Sequence, residues 1–516
     1  MIRPSRRDAL RVLAAAPALL ISCKSSAQEG MPAIASGPFN GTAESLQQYR
    51  IPEWFRDAKF GMWAHWGPQS GVEDGDWYAR NMYIQDSAQY KYHVEHYGHP
   101  SKVGYKDLCP QWKGAEFDPN HLITLYKKAG AKYFMSMGVH HDNFDLWNSK
   151  HQQRWNAVAT GPHKDVVGLW RKAVLDNGLK FAVSEHLSNS FDWFMTSHTS
   201  DKTGPLAGVS YDGINPQYAD LYHAIPAGMS LNQPAMGRNA PDSWKREYFL
   251  RIQDLIDNYH PDLLYTDGGI PFGEWGYRLV SHFYNTNAKL HGGQVEAVYT
   301  SKVRSDCATG TCALDIERGV ASDIMLEPWQ TDTCIGGWHY KRGIKYKTPK
   351  IVVDMLCDIV SRNGNLMLNI PLPNSGVPDD EELKVVEAIT QWMAVNSEGI
   401  YATRPWKVSG NAAAAPPAAN GAKFNERHRK ELTAEDVRFT TKADTLYAFV
   451  MGWPEREANI PLLALGGQWS VGKIRSVELL GHTGKLKFTQ DANALKVPMP
   501  PERPSDHAIT LKIVGA

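Results

Sequence analysis

The chain has 516 residues, and its 55 lysines and arginines equal its 55 aspartates and glutamates, so the formal net charge is zero at pH 7. This balance gives no electrostatic attraction to nucleic acid or to an anionic membrane surface, so neither is expected as a partner. Hydrophobic residues make up 42% and charged residues 21% of the chain, and its mean hydropathy is −0.42. These values exclude a disordered chain and a multispanning membrane protein.

Residues 1–30 have the pattern of an export signal. An arginine-rich start precedes the apolar run 12–21, which is too short to span a bilayer. Residues 5–10 (SRRDAL) resemble a twin-arginine signal, and 20–23 (LISC) resemble a lipobox that would lipidate Cys23; an ordinary cleaved signal is the alternative. We expect export to the bacterial periplasm, or anchoring to the membrane facing the periplasm through Cys23. Residues 31–45 are predicted to be a flexible tether.

The six cysteines favour a structural role over a metal site. Cys307 and Cys312 are close enough in sequence for a local disulfide in an oxidising compartment. The paired spacing of a zinc site is absent. If Cys23 is lipidated or removed, five cysteines remain, so at least one thiol stays free.

Short apolar runs alternate with helical patterns through the middle of the chain. The predicted strands are 60–65, 132–139, 179–184, 262–266, 295–300 and 365–370. The predicted helices are 121–129, 166–177, 243–259 and 382–395. This alternation indicates an α/β fold in which helices cover a mostly parallel sheet.

Reactive side chains follow the predicted strands: His65, His140 with His141, His186, and Asp267. A (β/α)8-like TIM barrel would bring all these positions to one face, where such barrels build their active sites. A doubly wound open sheet is the competing fold, but the glycine-rich phosphate turn that it favours is missing. We therefore predict a catalytic barrel over residues 46–398.

The pattern changes in the last part of the chain. Residues 411–420 (NAAAAPPAAN) form a proline-bearing stretch of small residues. Beyond it, short or alternating apolar runs with turn residues between them predict strands at 445–451, 477–480, 486–489 and 508–514. We predict a C-terminal antiparallel β-sandwich over residues 399–516, with a supporting role; carbohydrate binding is the alternative.

Two acids are candidates for glycoside chemistry. Asp267 ends an apolar run and precedes two glycines, which would let a ligand approach closely, although Asp-Gly is also a common turn. Glu317 in the segment 315–319 (DIERG) could supply the second carboxyl group that glycoside cleavage needs. His140 and His141 could bind metal or sugar hydroxyls, and no HExxH, GxSxG or phosphate-loop motif favours another reaction.

Six segments together resemble the α-L-fucosidases of glycoside hydrolase family 29. The matching segments, which follow the order found in the family, are 54–61 with 65–67, 140–147, 262–268, 329–336, 363–370 and 400–401. The resemblance implies a (β/α) barrel followed by a β-sandwich, and a retaining mechanism without a metal or other cofactor. The implied partner is a fucosylated oligosaccharide or glycoprotein glycan.

The resemblance also implies roles for individual residues. Asp267 matches the nucleophile, His65, His140 and His141 match sugar-contacting histidines, and Trp77 matches a loop near the pocket. Many members have Trp-Glu where this chain has Trp329-Gln330, and an amide cannot act as a general acid. We therefore predict Glu317 as the acid/base, with Glu327 and Glu296 as alternatives. Two further departures are Asp76, where some members have Glu, and Lys302, near the position of an arginine in some members.

Two more residues complete the predicted sugar pocket. Trp338 is the candidate wall for the methyl group of fucose, with core packing as the alternative. His186 is a candidate hydroxyl contact, with a satisfied core histidine as the alternative. The expected activity is that of an exo-acting, retaining α-L-fucosidase. The alternatives are a non-catalytic sugar-binding protein, a retaining glycosidase for another sugar, and a metal-dependent hydrolase built around His65, His140 and His141.

Overall fold

The computed structural model of the chain describes residues 30–226, 239–411, 424–469 and 471–515. The predicted export signal, with its lipobox at Cys23, lies outside the described residues, as does nearly all of the segment 411–420. Within the described part of the chain, no helix is both long and apolar enough to cross a bilayer.

Eight parallel strands form one sheet in the order β6-β5-β4-β3-β2-β1-β8-β7. They are β1 (Phe60–Ala64), β2 (Tyr133–Val139), β3 (Lys180–Glu185), β4 (Leu263–Thr266), β5 (Val298–Ser301), β6 (Ala313–Leu314), β7 (Trp329–Cys334) and β8 (Gly364–Asn369). Nearly every strand residue is buried, as expected for a parallel sheet covered on both sides.

The sheet closes into a barrel through an irregular seam between β6 and β7. Asp315, just after β6, makes an isolated parallel bridge with Gln330. The backbone N–H of Ile316 donates to the carbonyl of Gln330, and that of Arg318 donates to the carbonyl of Asp332, both at 2.8 Å. The predicted TIM barrel is confirmed, with its one irregular closure beside Glu317.

Helices cover the outside of the barrel and fill several of its loops. They are α1 (Ala43–Leu46), α2 (Glu53–Ala58), α3 (Tyr78–Asn81), α4 (Ala88–His96), α5 (Tyr105–Leu108), α6 (Pro119–Lys128), α7 (Val166–Asp176), α8 (Ser190–Trp193), α9 (Ala219–Tyr222), α10 (Asp242–Tyr259), α11 (Glu274–Leu290), α12 (Arg304–Cys307), α13 (Pro349–Val360) and α14 (Asp380–Asn396). The four predicted helices correspond to α6, α7, α10 and α14. Side-chain caps begin three of them, α6, α7 and α14: the Asp118 carboxylate, for example, accepts from two backbone N–H groups at the start of α6.

The segment predicted to be a flexible tether is packed from Ile34 onward. Phe39 is 4% exposed and its ring lies 5.3 Å from that of Tyr284 on α11. The Asn285 amide accepts from the Phe39 backbone N–H at 3.0 Å and donates to its carbonyl at 2.7 Å. The buried Phe39 side chain and these hydrogen bonds together anchor a stretch whose small residues suggested mobility.

The C-terminal residues form a β-sandwich, as predicted. A five-stranded antiparallel sheet, in the order β13-β16-β11-β10-β9, faces a three-stranded sheet in the order β12-β15-β14. The strands are β9 (Arg404–Gly410), β10 (Val437–Lys442), β11 (Thr445–Val450), β12 (Glu457–Ile460), β13 (Ser476–Leu479), β14 (Thr489–Gln490), β15 (Leu495–Pro498) and β16 (Ile509–Val514). The strand predicted at 486–489 is reduced to the two residues of β14.

A buried ionic cluster joins the sandwich to the barrel. Asp358 on α13 is fully buried and pairs with Arg362, which lies two residues beyond the end of that helix, with Arg429 at 3.0 Å and with Arg438 of β10 at 2.5 Å. Burial alone would raise the pKa of Asp358, but the three guanidinium groups lower it to about 2. The carboxylate is therefore ionised at neutral pH and ties the two domains together.

Candidate active site

A cavity of about 310 Å³ opens at the carboxyl ends of the barrel strands. Its volume is at the lower end of the roughly 300–1,000 Å³ of small-molecule sites, which suits one sugar ring better than a polymer. All eight site residues predicted from the sequence line it. The lining consists of Trp63, His65, Asp76, Trp77, His140, His141, His186, Tyr265, Asp267, Lys302, Glu317, Asp332, Trp338 and Phe424.

The histidines reach the cavity because each follows the end of a strand. His65 lies just after β1, and His186 just after β3. β2 ends at Val139, so His140 and His141 are not held to opposite faces and both line the cavity. Gln69 binds His140 Nδ1 at 2.9 Å and so fixes the orientation of that ring.

His186 is not a satisfied core histidine. It is 4% exposed, and neither of its ring nitrogens has a hydrogen-bond partner among the described residues. Oδ2 of Asp267 lies 3.7 Å from Nδ1, beyond hydrogen-bond distance. Both nitrogens are therefore available to a ligand in the cavity.

Three of the histidines are neutral at neutral pH. Burial, followed by the proximity of other histidines, lowers the pKa of His65 and of His140 well below the ordinary value. Burial lowers the pKa of His186 in the same way, although Asp267 opposes the effect. A neutral imidazole has one donor and one acceptor, which matches the two capacities of a sugar hydroxyl.

His141 differs because both of its nitrogens face acceptors. Nδ1 lies 2.8 Å from the carbonyl oxygen of His186, and Nε2 lies 3.2 Å from Oδ2 of Asp267. A carbonyl and a carboxylate only accept, so both ring nitrogens carry protons. Burial alone would lower the pKa of His141, but the hydrogen bond and charge of Asp267 raise it above its usual value. His141 is thus a buried cation beside Asp267.

Asp267 follows β4 directly and sits between two cations. Lys302 Nζ lies 2.7 Å from Oδ1, and His141 lies beside Oδ2. The Asn189 amide fixes the backbone by donating to the Asp267 carbonyl at 2.9 Å. Burial would raise the pKa of Asp267, but Lys302 and His141 together hold it well below its usual range. The carboxylate is therefore ionised.

Glu317 lies across the cavity at the barrel seam, with 17% of its side chain exposed. Its Oε2 is 2.7 Å from Lys302 Nζ, the same distance that separates this nitrogen from Asp267 Oδ1. The two carboxylate oxygens are therefore at most 5.4 Å apart, twice that distance. Burial raises the pKa of Glu317, Lys302 lowers it, and the charges of Asp332 and Asp267 raise it. The sum of these effects is a pKa above the usual value.

Lys302 follows β5 and is the electrostatic centre of the site. Its side chain is 4% exposed and also lies 3.4 Å from Asp332 Oδ2. Burial alone would lower the pKa of Lys302, but the surrounding carboxylates hold it well above its usual value. One permanent cation therefore links the nucleophile and acid candidates.

A second layer of polar groups supports this arrangement. Tyr265 donates to Asp332 Oδ2 at 2.9 Å and lies 3.5 Å from Asp267 Oδ1. Gln330, which stands at the family's Trp-Glu position, donates to Asp315 Oδ2 at 2.6 Å. This bond links β7 to the residue that follows β6. Burial and then Asp332 raise the pKa of Asp315 well above its usual value, so Asp315 keeps its proton. The sequence did not single out Tyr265, Asp332 or Trp63 as pocket residues.

The two alternative acid candidates lie away from the cavity. Glu296 precedes β5 and Glu327 precedes β7 by two residues each, at the amino ends of the strands. Glu327 pairs with Arg56 at 3.4 Å and its side chain is 64% exposed. Neither residue lines the cavity.

Aromatic side chains wall the cavity. Trp338 lies 4.9 Å from the His65 ring and 5.7 Å from the Trp63 ring, and its face is covered by the Arg318 guanidinium at 5.0 Å. Trp77 adopts a left-handed backbone conformation (φ 60°) and lies edge-on to His141 at 6.0 Å. The cavity thus combines hydrogen-bonding imidazoles with flat apolar surfaces.

Among the residues that the structure describes, three overlapping groups of side chains could hold a metal ion, each with ligand atoms within 4.8 Å of one another. They are His65, His140 and His186; Asp76, His140 and His339; and His141, His186 and Asp267. His140 belongs to the first two groups and His186 to the first and third, and no group found among the described residues combines His65, His140 and His141. The set of His65, His140 and His141 considered from the sequence is therefore not one of these candidate metal-ligand groups.

A nucleophile-like carboxylate and a second carboxyl group, facing each other over a sugar-sized cavity at the mouth of a TIM barrel, define a glycoside hydrolase. The sequence profile of the Alpha-L-fucosidase family matches residues 26–398, and that of the Alpha-L-fucosidase C-terminal domain matches residues 429–514. The chain belongs to the α-L-fucosidase family, glycoside hydrolase family 29.

Curated relatives agree with this membership, and a solved structure shares the fold. The chain is 26% identical to tissue alpha-L-fucosidase of Rattus norvegicus, covering 92% of this chain and 90% of the relative. It is 26% identical to plasma alpha-L-fucosidase of Homo sapiens, covering 91% and 90%. The Thermotoga maritima alpha-fucosidase structure in complex with fucose shares the fold, with a TM-score of 0.70 and 23% identity over 92% of this chain and all of that one.

Proposed function

We propose that the protein is an exo-acting α-L-fucosidase that hydrolyses terminal α-L-fucosyl linkages of glycans with retention of anomeric configuration. The observation that carries this proposal is the shared contact of Asp267 and Glu317 with Lys302 Nζ. It places Asp267 Oδ1 and Glu317 Oε2 at most 5.4 Å apart. Retaining glycosidases separate their carboxyl groups by about 5–5.5 Å, whereas inverting enzymes need about 6.5–9.5 Å to admit a water.

In the first step, Asp267 attacks the anomeric carbon while Glu317 protonates the departing oxygen. The two neighbouring cations keep Asp267 ionised, and burial with the nearby carboxylates keeps the Glu317 pKa raised so that a proton is available. The products of this step are a fucosyl ester on Asp267 and the released aglycone.

In the second step, Glu317 acts as a base toward water. Ester formation removes the charge of Asp267, which had raised the pKa of Glu317, while the positive charge of Lys302 remains. The pKa of Glu317 therefore falls, and the carboxylate can take a proton from the water that attacks the ester. Lys302 thus assists both half-reactions without transferring a proton.

Fucose recognition follows from the mixed lining of the cavity. Neutral His65 and His186 can each donate to one hydroxyl and accept from another, whereas His140, whose Nδ1 accepts from Gln69, can donate to one through Nε2. Fucose carries a methyl group in place of the usual hydroxymethyl group, and Trp338 offers it an apolar surface. The small closed cavity favours a terminal residue, as an exo-acting enzyme requires.

The test uses an aryl α-L-fucoside and two variants. The wild-type enzyme is expected to release fucose with the α anomer formed first, as seen by NMR. Added azide is expected to rescue Asp267→Ala as the inverted β-fucosyl azide and Glu317→Ala as the retained α-fucosyl azide. Fucose binding without any hydrolysis would instead identify a sugar-binding protein on a glycosidase scaffold.

We also propose that the chain is exported. The arginine-rich start and the lipobox support this, and Cys307 and Cys312 form the disulfide predicted from their spacing, as is typical of oxidising compartments. The Cys23→Ala variant is expected to move from the membrane fraction to the soluble periplasmic fraction. If the variant stays in the membrane fraction, the lipid anchor is refuted.

A further inference from the structure

One lining residue of the cavity does not come from the barrel. Phe424 lies between β9 and β10 of the β-sandwich, and it lines the same cavity as Asp267 and Glu317. Its side chain remains 49% exposed, although it is large and apolar. An aromatic ring left half in solvent at the mouth of a cavity is suited to a ligand that the cavity alone does not enclose.

The segment carrying Phe424 is fixed to the loop that carries Glu317. The Phe424 backbone N–H donates to the Glu317 carbonyl at 2.9 Å, and that of Glu426 donates to the Arg318 carbonyl at 3.0 Å. The buried amide of Asn425 bonds both the N–H and the carbonyl of Val320 at 3.1 Å.

Side-chain contacts of Glu426 also hold the segment that carries Phe424. Glu426 accepts from the Thr333 hydroxyl at 2.6 Å and pairs with Lys347 at 2.8 Å. Phe424 itself adopts a left-handed conformation (φ 55°), which the flanking bonds maintain. These bonds fix the backbone of residues 424–426, so little ordering entropy would be lost there when a ligand binds the ring.

The position of Phe424 relative to Glu317 identifies which part of a substrate it meets. A general acid must lie within hydrogen-bond reach of the leaving oxygen, so the leaving group begins at Glu317. The histidines that suit the fucosyl ring are 4% exposed or less, which makes them the closed end of the cavity. The group attached to the leaving oxygen must therefore extend from Glu317 toward solvent, where Phe424 lies.

We propose that Phe424 is the platform of a leaving-group subsite, which takes a pyranose ring by stacking against its apolar face. This inference rests on the proposed fucosidase activity and adds a determinant of substrate choice supplied by the C-terminal segment. The fucosyl ring is bound by the barrel, and the sugar to which it is attached is bound by Phe424.

The test compares substrates with and without a leaving sugar. Fucosyl fluoride has no aglycone sugar, whereas fucosyl disaccharides with α1,2, α1,3, α1,4 and α1,6 linkages to galactose or N-acetylglucosamine do. For the disaccharides that the wild type hydrolyses, Phe424→Ala is expected to lower kcat/KM ten- to a hundredfold and to lower that of fucosyl fluoride less than threefold. Phe424→Trp is expected to restore at least half of the disaccharide activity.

Two controls separate this effect from misfolding. The backbone bond from residue 424 to Glu317 does not depend on the side chain, so the melting temperature of Phe424→Ala should match the wild type. Leu465→Ala removes a comparably exposed apolar side chain (45%) elsewhere in the C-terminal domain and should leave both substrates unaffected.

The outcomes distinguish the two proposals. If the wild type hydrolyses neither fucosyl fluoride nor any disaccharide, the proposed activity fails. If the wild type hydrolyses both and Phe424→Ala affects them equally or affects neither, the leaving-group subsite is refuted while the activity stands. Selective loss on the disaccharides, restored by Phe424→Trp, supports the subsite.

Discussion

Replacing Lys302 with methionine should displace the whole pH profile of the enzyme. Lys302 donates to Asp267 and to Glu317 at 2.7 Å, and it lowers the pKa of both. A hydrogen bond to a charged group is worth about 1.5–3 kcal/mol, which at 1.36 kcal/mol per pKa unit corresponds to roughly one to two units. Both limbs of the kcat/KM profile should therefore move to higher pH by about one to two units in Lys302→Met.

The height of the profile should fall as well. Removing one partner of a buried ion pair costs about 3–5 kcal/mol, and a loss of that size in the transition state should lower kcat/KM at the optimum roughly 10²–10⁴-fold. The assay is the pH dependence of aryl fucoside hydrolysis, with Lys341→Met as the matched control, because Lys341 pairs with Asp74 at the surface. A fall in kcat/KM without a shift of either limb would refute the electrostatic role of Lys302 and would indicate that its side chain contributes only packing.

Three further predictions concern stability and metal dependence. Burial raises the pKa of Glu382 to about 9, so the folded protein holds this proton more tightly than the unfolded chain and loses stability as pH rises above about 4.5. Glu382→Gln should therefore raise the free energy of unfolding by about 3 kcal/mol at pH 7 and leave it unchanged at pH 4, as measured by urea denaturation. Asp358→Asn should lower it by about 3–5 kcal/mol at pH 7, since it leaves Arg438 and its neighbours unpaired, and the difference from wild type should shrink as pH falls from about 4 toward 2. EDTA should leave fucoside hydrolysis unchanged; loss of activity that zinc restores would contradict the two-carboxylate mechanism.

The barrel was predictable wherever a strand contains a run of apolar residues. Six of the eight strands satisfy that condition, and β6 and β7 do not. β6 has two residues, too few for any periodicity, and β7 (WQTDTC) carries Gln330 and Asp332, whose polar side chains support the site. The β6–β7 seam could therefore not be predicted from the sequence, because its polar residues support the active site and do not form an apolar strand pattern.

Site residues that directly follow an apolar strand could be predicted from the sequence, whereas residues placed by contacts between distant segments could not. Asp267 follows an apolar strand and precedes glycines, a local signal. Lys302 was visible only as a departure from the family pattern, since its contacts with Glu317 and Asp332 depend on barrel closure. Phe424 gives no local signal at all, because its place beside Glu317 is set by hydrogen bonds between distant segments.

The most direct test of the mechanism is to trap the sugar on the enzyme. A 2-deoxy-2-fluoro-α-L-fucosyl fluoride slows ester hydrolysis while keeping a good leaving group, so the intermediate should accumulate. Mass spectrometry of the digested protein is expected to find one fluorofucosyl group on the peptide containing Asp267, attached to that carboxylate. Rapid turnover of an aryl fucoside without any labelled peptide, or a label on Glu317, would contradict the assignment.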